Sequence, residues 1–398
     1  MEKKPFVESI RLQNFLSYGS EDNEIKLERL NVLIGPNASG KSNLIEAFAV
    51  LRSLPLDQEL HLLMGDVRHW VWKGATEPAV AKIEVKIKAV HPWVSAPLLY
   101  RLKFMGASPG FWWISEETIQ DRQDPDKLYF QYSPPTDPIA LASQPPPLTD
   151  RISRNLDQKE WSHTKSVLSQ LRDFFSYPEI TGLADCFKFI HFFREWHSGP
   201  YTPARSPAQT SMPPTHLLEN AANLALVLSN LRNKPKTWSL INDKLSEVYP
   251  DLDHIETQIQ GDQVILYVQQ RGLRESIPVT RLSDGTLRFL CLLSILCHPE
   301  PPPLICLEEP EVGLYPEALP VVGDLLKSAA GKTQLIVTTH SDVLVSSFTD
   351  SPESVLICER DEKGSHLRRL ASEPLREWLE KYALGDLWLD GRLGVRKW

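Results

Sequence analysis

The stretch GPNASGKS, residues 35–42, constrains this chain more than any other. It follows an apolar run, Leu27–Ile34, that reads as a strand. It precedes Ser42–Leu54, whose apolar residues recur at helical spacing until Pro55 stops them. G-x-x-x-x-G-K-[ST] between a strand and a helix is a loop that cradles phosphates. Gly35 and Gly40 let the backbone curl so that successive N–H groups face one point. The helix starting near Lys41 adds its positive N-terminal end. Lys41 supplies a point charge for the β- and γ-phosphates, and Ser42 offers a hydroxyl to Mg²⁺. The nucleotide-binding candidates are therefore Gly35, Pro36, Asn37, Ala38, Ser39, Gly40, Lys41, Ser42 and Asn43.

Two later strands complete such a site. LICLEEPE, residues 304–311, is an apolar run that ends in carboxylates, and a buried strand ending in acids needs solvent, a cation or donors for them. Beside a phosphate loop the cation is Mg²⁺: Glu308 is assigned to the metal with Ser42, and Glu309 to polarising the attacking water. Glu311 receives no firm role. LIVTTHSD, residues 335–342, carries His340 at the edge where open α/β sheets bind ligands. The catalytic candidates are Lys41, Glu309 and His340, and ATP with Mg²⁺ is the implied cofactor pair.

Phe6–Phe15, Ala79–Val90, Leu98–Phe104, Gly110–Thr118 and Leu128–Tyr132 read as strands of an antiparallel sheet. Strand–helix–strand alternation in the last third implies a parallel sheet with helices on its faces. Between them lie a loop with six prolines, Ser133–Leu148, and a second Pro/Ser-rich connection, Gly199–Pro214. Spacing predicts helices over Asp157–Phe175, Thr215–Asn230 and Trp238–Val248, and a short strand at Val264–Val268. The expected division is 1–90, a first lobe with the phosphate loop; 91–215, its continuation with a helical insertion; 216–345, a second lobe; and 346–398, a C-terminal extension.

The net charge of −8 argues against a nonspecific nucleic-acid coat and leaves room only for a local basic patch. Arg68, Lys73 and Lys103 are its candidates. Cys291, Cys297, Cys306 and Cys358 sit in apolar runs, as reduced core thiols of a cytoplasmic protein would. No apolar run is long enough to span a bilayer, so no membrane association is expected.

IRLQNFLSYG at 10–19, GPNASGKSNLIEAF at 35–48, LSDGTLRFL at 282–290, LEEPEVGLYP at 307–316 and TTHSDVL at 338–344 occur in one order. In that order they resemble the ABC-type ATPases of the RecF/SMC branch. More narrowly, they are similar to stand-alone AAA-type ATPases related to the ATPase domain of OLD-family nucleases. The tail LREWLEKYALGDLWLDG looks like theirs too. The resemblance implies an ABC-type P-loop fold, here without a long coiled coil. LSDGTLRF stands where that branch has its signature, a turn that covers the nucleotide of a second subunit. Ser283 and Gly285 would then face a partner's phosphate across an ATP-dependent homodimer or higher oligomer. Such ATPases often act beside a separately encoded nuclease or toxin in prokaryotic defence, with nucleic acid a possible partner. A slow clamp that holds an effector inactive would use the same residues. Ala38 replaces the commoner glycine, Glu308 replaces Asp, and Tyr315 stands where relatives often have His. Gln120, Gln123 and Gln131 are all open as the Q-loop residue.

Overall fold

The computed structural model describes residues 6–21, 23–56, 66–75, 79–88, 96–108, 111–134, 139–143, 151–155, 161–196 and 199–394. The strand before the phosphate loop, Leu30–Ile34, lies inside a six-stranded sheet. The order across that sheet is Ile190–Phe193, Leu304–Glu308, Gln334–Thr338, Leu30–Ile34, Val355–Asp361 and Gly364–Arg369. The first five strands run parallel and the last turns back antiparallel.

These strands read as unbroken apolar runs because both of their faces are covered. Leu33, Leu304, Cys306, Ile336 and Leu356 point into one core, shared with the helix Lys41–Ser53 and an eight-stranded antiparallel sheet. Their neighbours Val32, Ile34, Ile305, Leu307, Leu335, Val337, Val355 and Ile357 point into the other. That second core is closed by the helices Leu224–Arg232, Pro235–Val248, Asp284–Leu296 and Leu319–Ala330. The eight-stranded sheet contains the expected antiparallel strands, so the fold class stands as read. No helix exceeds 14 residues among those described, and none there is long and apolar enough to cross a membrane.

The interior of the insertion departs from its apolar spacing. In place of a helix over Asp157–Phe175 there is one turn, Val167–Gln170, and a separate helix, Pro178–Lys188; residues 156–160 lie outside the described residues. Local polar bonds decide this. The Ser166 hydroxyl caps Leu168 N–H, and Asp173 accepts from the N–H groups of Phe175 and Ser176, an alternative to helix. Likewise the helix expected from Thr215 begins only at Leu224. The buried Asn223 amide accepts from Leu218 N–H and donates to the Pro213 and His216 carbonyls, which holds the chain in a turn. The proline-rich loop contains a strand, Ile139–Ser143, although residues 135–138 and 144–150 lie outside the described residues. Val264–Val268 belongs to a longer hairpin, Leu252–Gln260 with Gln263–Gln270.

Buried Glu117, on the strand Phe111–Asp121, ties the turn Val167–Gln170 to the antiparallel sheet. Its carboxylate accepts from Tyr100 Oη (2.7 Å), Ser166 Oγ (2.5 Å) and Val167 N–H (2.9 Å). Burial pushes its pKa up from 4.5 to about 6, against the pull of those donors. A folded-state value above the unfolded one means the group's contribution is fully present below pH 4.5 and is lost as the pH rises through 6. The loss is about 2 kcal/mol. Urea unfolding should therefore show wild-type stability falling by about that amount relative to Glu117→Gln between acid and neutral pH. Parallel pH profiles for the two proteins would show that Glu117 is not the titrating group.

Candidate active site

Sheet register brings the distant motifs to one edge. Phe193 pairs with Leu307, Glu308 with Thr338, Thr338 with Leu33, and Ile34 with Ile357. Continuing the other parallel strands by one or two residues sets Arg194, Glu309, His340 and Gly35 along the carboxyl ends, where open α/β sheets bind ligands, beside Cys358 inside the strand Val355–Asp361.

The phosphate loop has the backbone its sequence requires. Gly35 has φ +146° and Gly40 has φ +106°. A Cβ at Gly35 would lie 2.2 Å from the Cys358 carbonyl oxygen, and one at Gly40 would lie 2.4 Å from Ser365 Oγ. Ala38 takes φ +60° at the exposed loop tip, where an alanine costs about 1–2 kcal/mol relative to glycine. Lys41 is buried and its ammonium donates to the carbonyls of Gly35 (2.8 Å) and Pro36 (2.9 Å). Burial holds its pKa below the ordinary lysine value. Ser39 Oγ is buried with no hydrogen-bond partner among the described residues, a polar atom for which a phosphate oxygen is a fitting acceptor. Behind the loop, Tyr18 Oη donates to Gly40 O, and Asn43 Nδ2 donates to Ser17 Oγ (2.7 Å). The Asn43 amide thus serves the loop's support.

Ser42 Oγ donates to Glu308 Oε2 at 3.1 Å, so a hydroxyl and a carboxylate from residues 266 apart in sequence share one place. That donor set suits Mg²⁺, which takes oxygen ligands and keeps several waters. Burial pushes the Glu308 carboxyl up, offset by Arg194 and by the Ser42 hydroxyl. Arg194 was not found from sequence. Its Nε lies 3.4 Å from Glu308 Oε1 while its Nη1 donates to Glu46 Oε1 at 2.7 Å. The guanidinium also lies over the Phe192 ring, 4.9 Å from its centroid.

Glu309 adopts φ +46°, unusual for a non-glycine residue. Its Oε1 lies 3.7 Å from His340 Nε2, and both side chains keep access to solvent. Glu311 is a fastener. Its Oε1 accepts from Thr339 Oγ1 (2.7 Å) and from the His340 N–H (2.8 Å), tying the acidic loop to the histidine loop. Burial pushes its carboxyl up.

LSDGTLRF does form a capped helix start. Ser283 Oγ accepts from Thr286 N–H at 3.0 Å and lies 2.8 Å from Thr286 Oγ1. Gly285 has a local reason to be glycine, since a Cβ there would lie 2.9 Å from Gly313 O and 3.7 Å from the Tyr315 ring. Tyr315 is thereby placed, exposed, beside this turn. One turn along the helix, Arg288 donates to Trp196 O (2.7 Å) and lies over the Trp196 ring. Trp196 Nε1 in turn donates to Glu308 O (2.8 Å), so the helix start and the acidic strand are joined through two side chains.

The remaining candidates lie elsewhere. Gln120 hydrogen-bonds Pro125 O within its own hairpin, and Gln131 is exposed on the neighbouring strand. Arg68 pairs with Asp66, Lys73 donates to Arg68 O (2.6 Å), and Lys103 pairs with Glu116 (2.6 Å). The three basic residues proposed as a patch are thus each engaged internally.

Comparison with known proteins agrees with this geometry. A family described as "AAA domain, putative AbiEii toxin, Type IV TA system" matches residues 30–346. The energy-coupling factor transporter ATP-binding protein EcfA2 of Lactobacillus gasseri is 26% identical over 132 residues. That match takes in 31% of this chain and 43% of EcfA2, less than half the length of this curated relative. Among solved structures, an Smc head bound to the C-winged helix domain of ScpA superposes with a TM-score of 0.56 at 14% identity, covering 94% of this chain and all of the other. An Smc head with an extended coiled coil from Pyrococcus furiosus, bound to the C-terminal domain of ScpA, gives 0.56 at 14% identity over 95% of this chain and 99% of the other. These likenesses show an SMC head-like P-loop fold. With most of its length matched and the motifs in place, the chain belongs to the AAA domain family of AbiEii toxin type, P-loop ATPases distantly related to ABC ATPases.

Proposed function

We propose that the protein hydrolyses ATP in a dimer of head-to-tail protomers and uses ATP-driven closure to gate a separately encoded effector, a nuclease or toxin being the class its family suggests. The observation that carries this reading is the meeting of Ser42 and Glu308 at 3.1 Å, beside Glu309 and His340 at 3.7 Å from each other. Lys41 exchanges its loop carbonyls for phosphate oxygens. The Ser39 hydroxyl and the loop N–H groups hold the same phosphates. Ser42 and Glu308 would hold Mg²⁺, which when bound supplies positive charge against the phosphate oxygens. Glu309 accepts a proton from the attacking water, and His340 orients that water or the terminal phosphate. Ser283, at a helix N-terminus, faces the phosphate of the nucleotide held by the other protomer.

A slower form of the same reading, an ATP-held clamp that keeps an effector inactive, draws on the Arg194 guanidinium already paired with Glu308. Steady-state turnover separates the two.

Mixing variants tests the composite site. Lys41→Ala removes one protomer's phosphate loop, and Ser283→Arg blocks one protomer's helix start. In a mixed dimer one site carries both lesions and the other carries neither. Each variant alone should be inactive. The mixture should recover roughly a quarter of wild-type turnover, since half of randomly paired dimers are mixed and each has one intact site. A mixture as inactive as its components would sink the head-to-tail arrangement.

A further inference from the structure

Asp284 follows the helix cap, at the place where a phosphate would have to approach. A carboxylate there favours its own helix N-terminus and opposes a second anion. In the structure this acid is engaged from the neighbouring connection. The Arg205 guanidinium, whose side chain is only 7% exposed, pairs with Asp284 Oδ1 through Nη2 at 2.5 Å. Both carboxylate oxygens also accept from the Gly199 N–H at 3.2 Å. Arg205 also donates through Nε to the Gly199 carbonyl (3.0 Å) and through Nη1 to the Val279 (3.1 Å) and Leu282 (2.7 Å) carbonyls, so the guanidinium itself is fixed. Arg288 adds a second positive charge near the same carboxylate. Arg205 comes from the Pro/Ser-rich connection, which its composition marks as an exposed linker, yet this side chain is buried.

We infer that Arg205 is a positioning residue for the composite site: it neutralises Asp284 and turns its carboxylate from the helix start, leaving that N-terminus able to receive a phosphate borne by a second protomer. This rests on the dimeric reading above. Arg205 contacts neither nucleotide nor attacking water; it acts through Asp284. The consequence is asymmetric. Removing the arginine exposes an anion at a phosphate site, whereas removing the acid leaves nothing to neutralise.

The test is a double-mutant comparison in the Glu309→Gln background, in which ATP persists and pairing is read by light scattering against protein concentration. Arg205→Met should weaken ATP-dependent pairing by about tenfold or more. Asp284→Asn should change it by less than about threefold, and Arg205→Met with Asp284→Asn should return to near the Asp284→Asn value. Asp284→Asn as damaging as Arg205→Met, or a double variant no better than Arg205→Met, would overturn the inference and leave an ordinary structural ion pair. Should Arg205→Met lose its cooperative unfolding, Arg205→Lys replaces it. That change keeps the charge and gives up carbonyl contacts, and it should weaken pairing by less than about threefold. A tenfold loss there would count against neutralisation as the role. If Glu309→Gln itself does not pair on ATP, the dimeric reading fails. If it pairs and Arg205→Met pairs equally well, only the role of Arg205 fails.

Discussion

Lys41→Ala should lower ATP affinity by about tenfold or more and leave the fold intact. Among the described residues the Lys41 ammonium bonds to the Gly35 and Pro36 carbonyls of its own loop, and burial already disfavours its charged form. A lysine whose folded pKa is depressed adds no stability at neutral pH, so its loss removes a ligand for phosphate without removing a fold-stabilising charge. Titration calorimetry reads the affinity and thermal unfolding reads the fold. A variant that binds ATP as tightly as wild type would mean that the nucleotide sits elsewhere.

Glu309→Gln should act on turnover rather than on binding. An amide of nearly the same size can still accept a hydrogen bond from water but cannot take up its proton, so hydrolysis should fall by about a hundredfold or more. ATP binding should survive, because Glu309 lies beyond the phosphate loop, its side chain facing His340 at 3.7 Å. The expected signature is a stalled, ATP-loaded protein. Loss of binding together with turnover would reassign Glu309 to the nucleotide itself.

The motifs legible in the sequence share one property. GPNASGKS, LICLEEPE and LIVTTHSD each join an apolar strand to a polar end, so strand and site residue are read together. RLSDGTLRFL is legible for the same reason, as a cap opening into an apolar helix. What was missed depends on pairing between distant segments. Arg194 follows a four-residue strand, Ile190–Phe193, too short to stand out, and only the parallel register of that strand with Leu304–Glu308 sets it beside Glu308. FIHFFRE does share the pattern of LICLEE, an apolar run closing on charge, and that was the available signal. Trp196 and Arg205 lie in or beside a stretch whose composition reads as an exposed linker. Their roles come from carbonyl and carboxylate partners 74 to 112 residues away. The helix expected over Asp157–Phe175 gave way to the buried Glu117 and to Asp173, whose short-range hydrogen bonds outweigh apolar periodicity.

Gly285 has a sufficient local explanation, whatever its role toward a second protomer. Its missing Cβ lets the Gly313 loop approach, which explains the glycine within one protomer. Only the behaviour of two protomers decides whether this helix start also serves a neighbour's nucleotide. The direct measurement is the mass of Glu309→Gln in solution, by light scattering at micromolar concentration, with and without ATP and Mg²⁺. The composite-site account predicts 45.2 kDa without nucleotide and twice that mass with it, reverting to monomer when Ser283→Arg is added. An ATP-loaded Glu309→Gln protein that stays at the monomer mass would contradict it and reduce Ser283 to a helix cap.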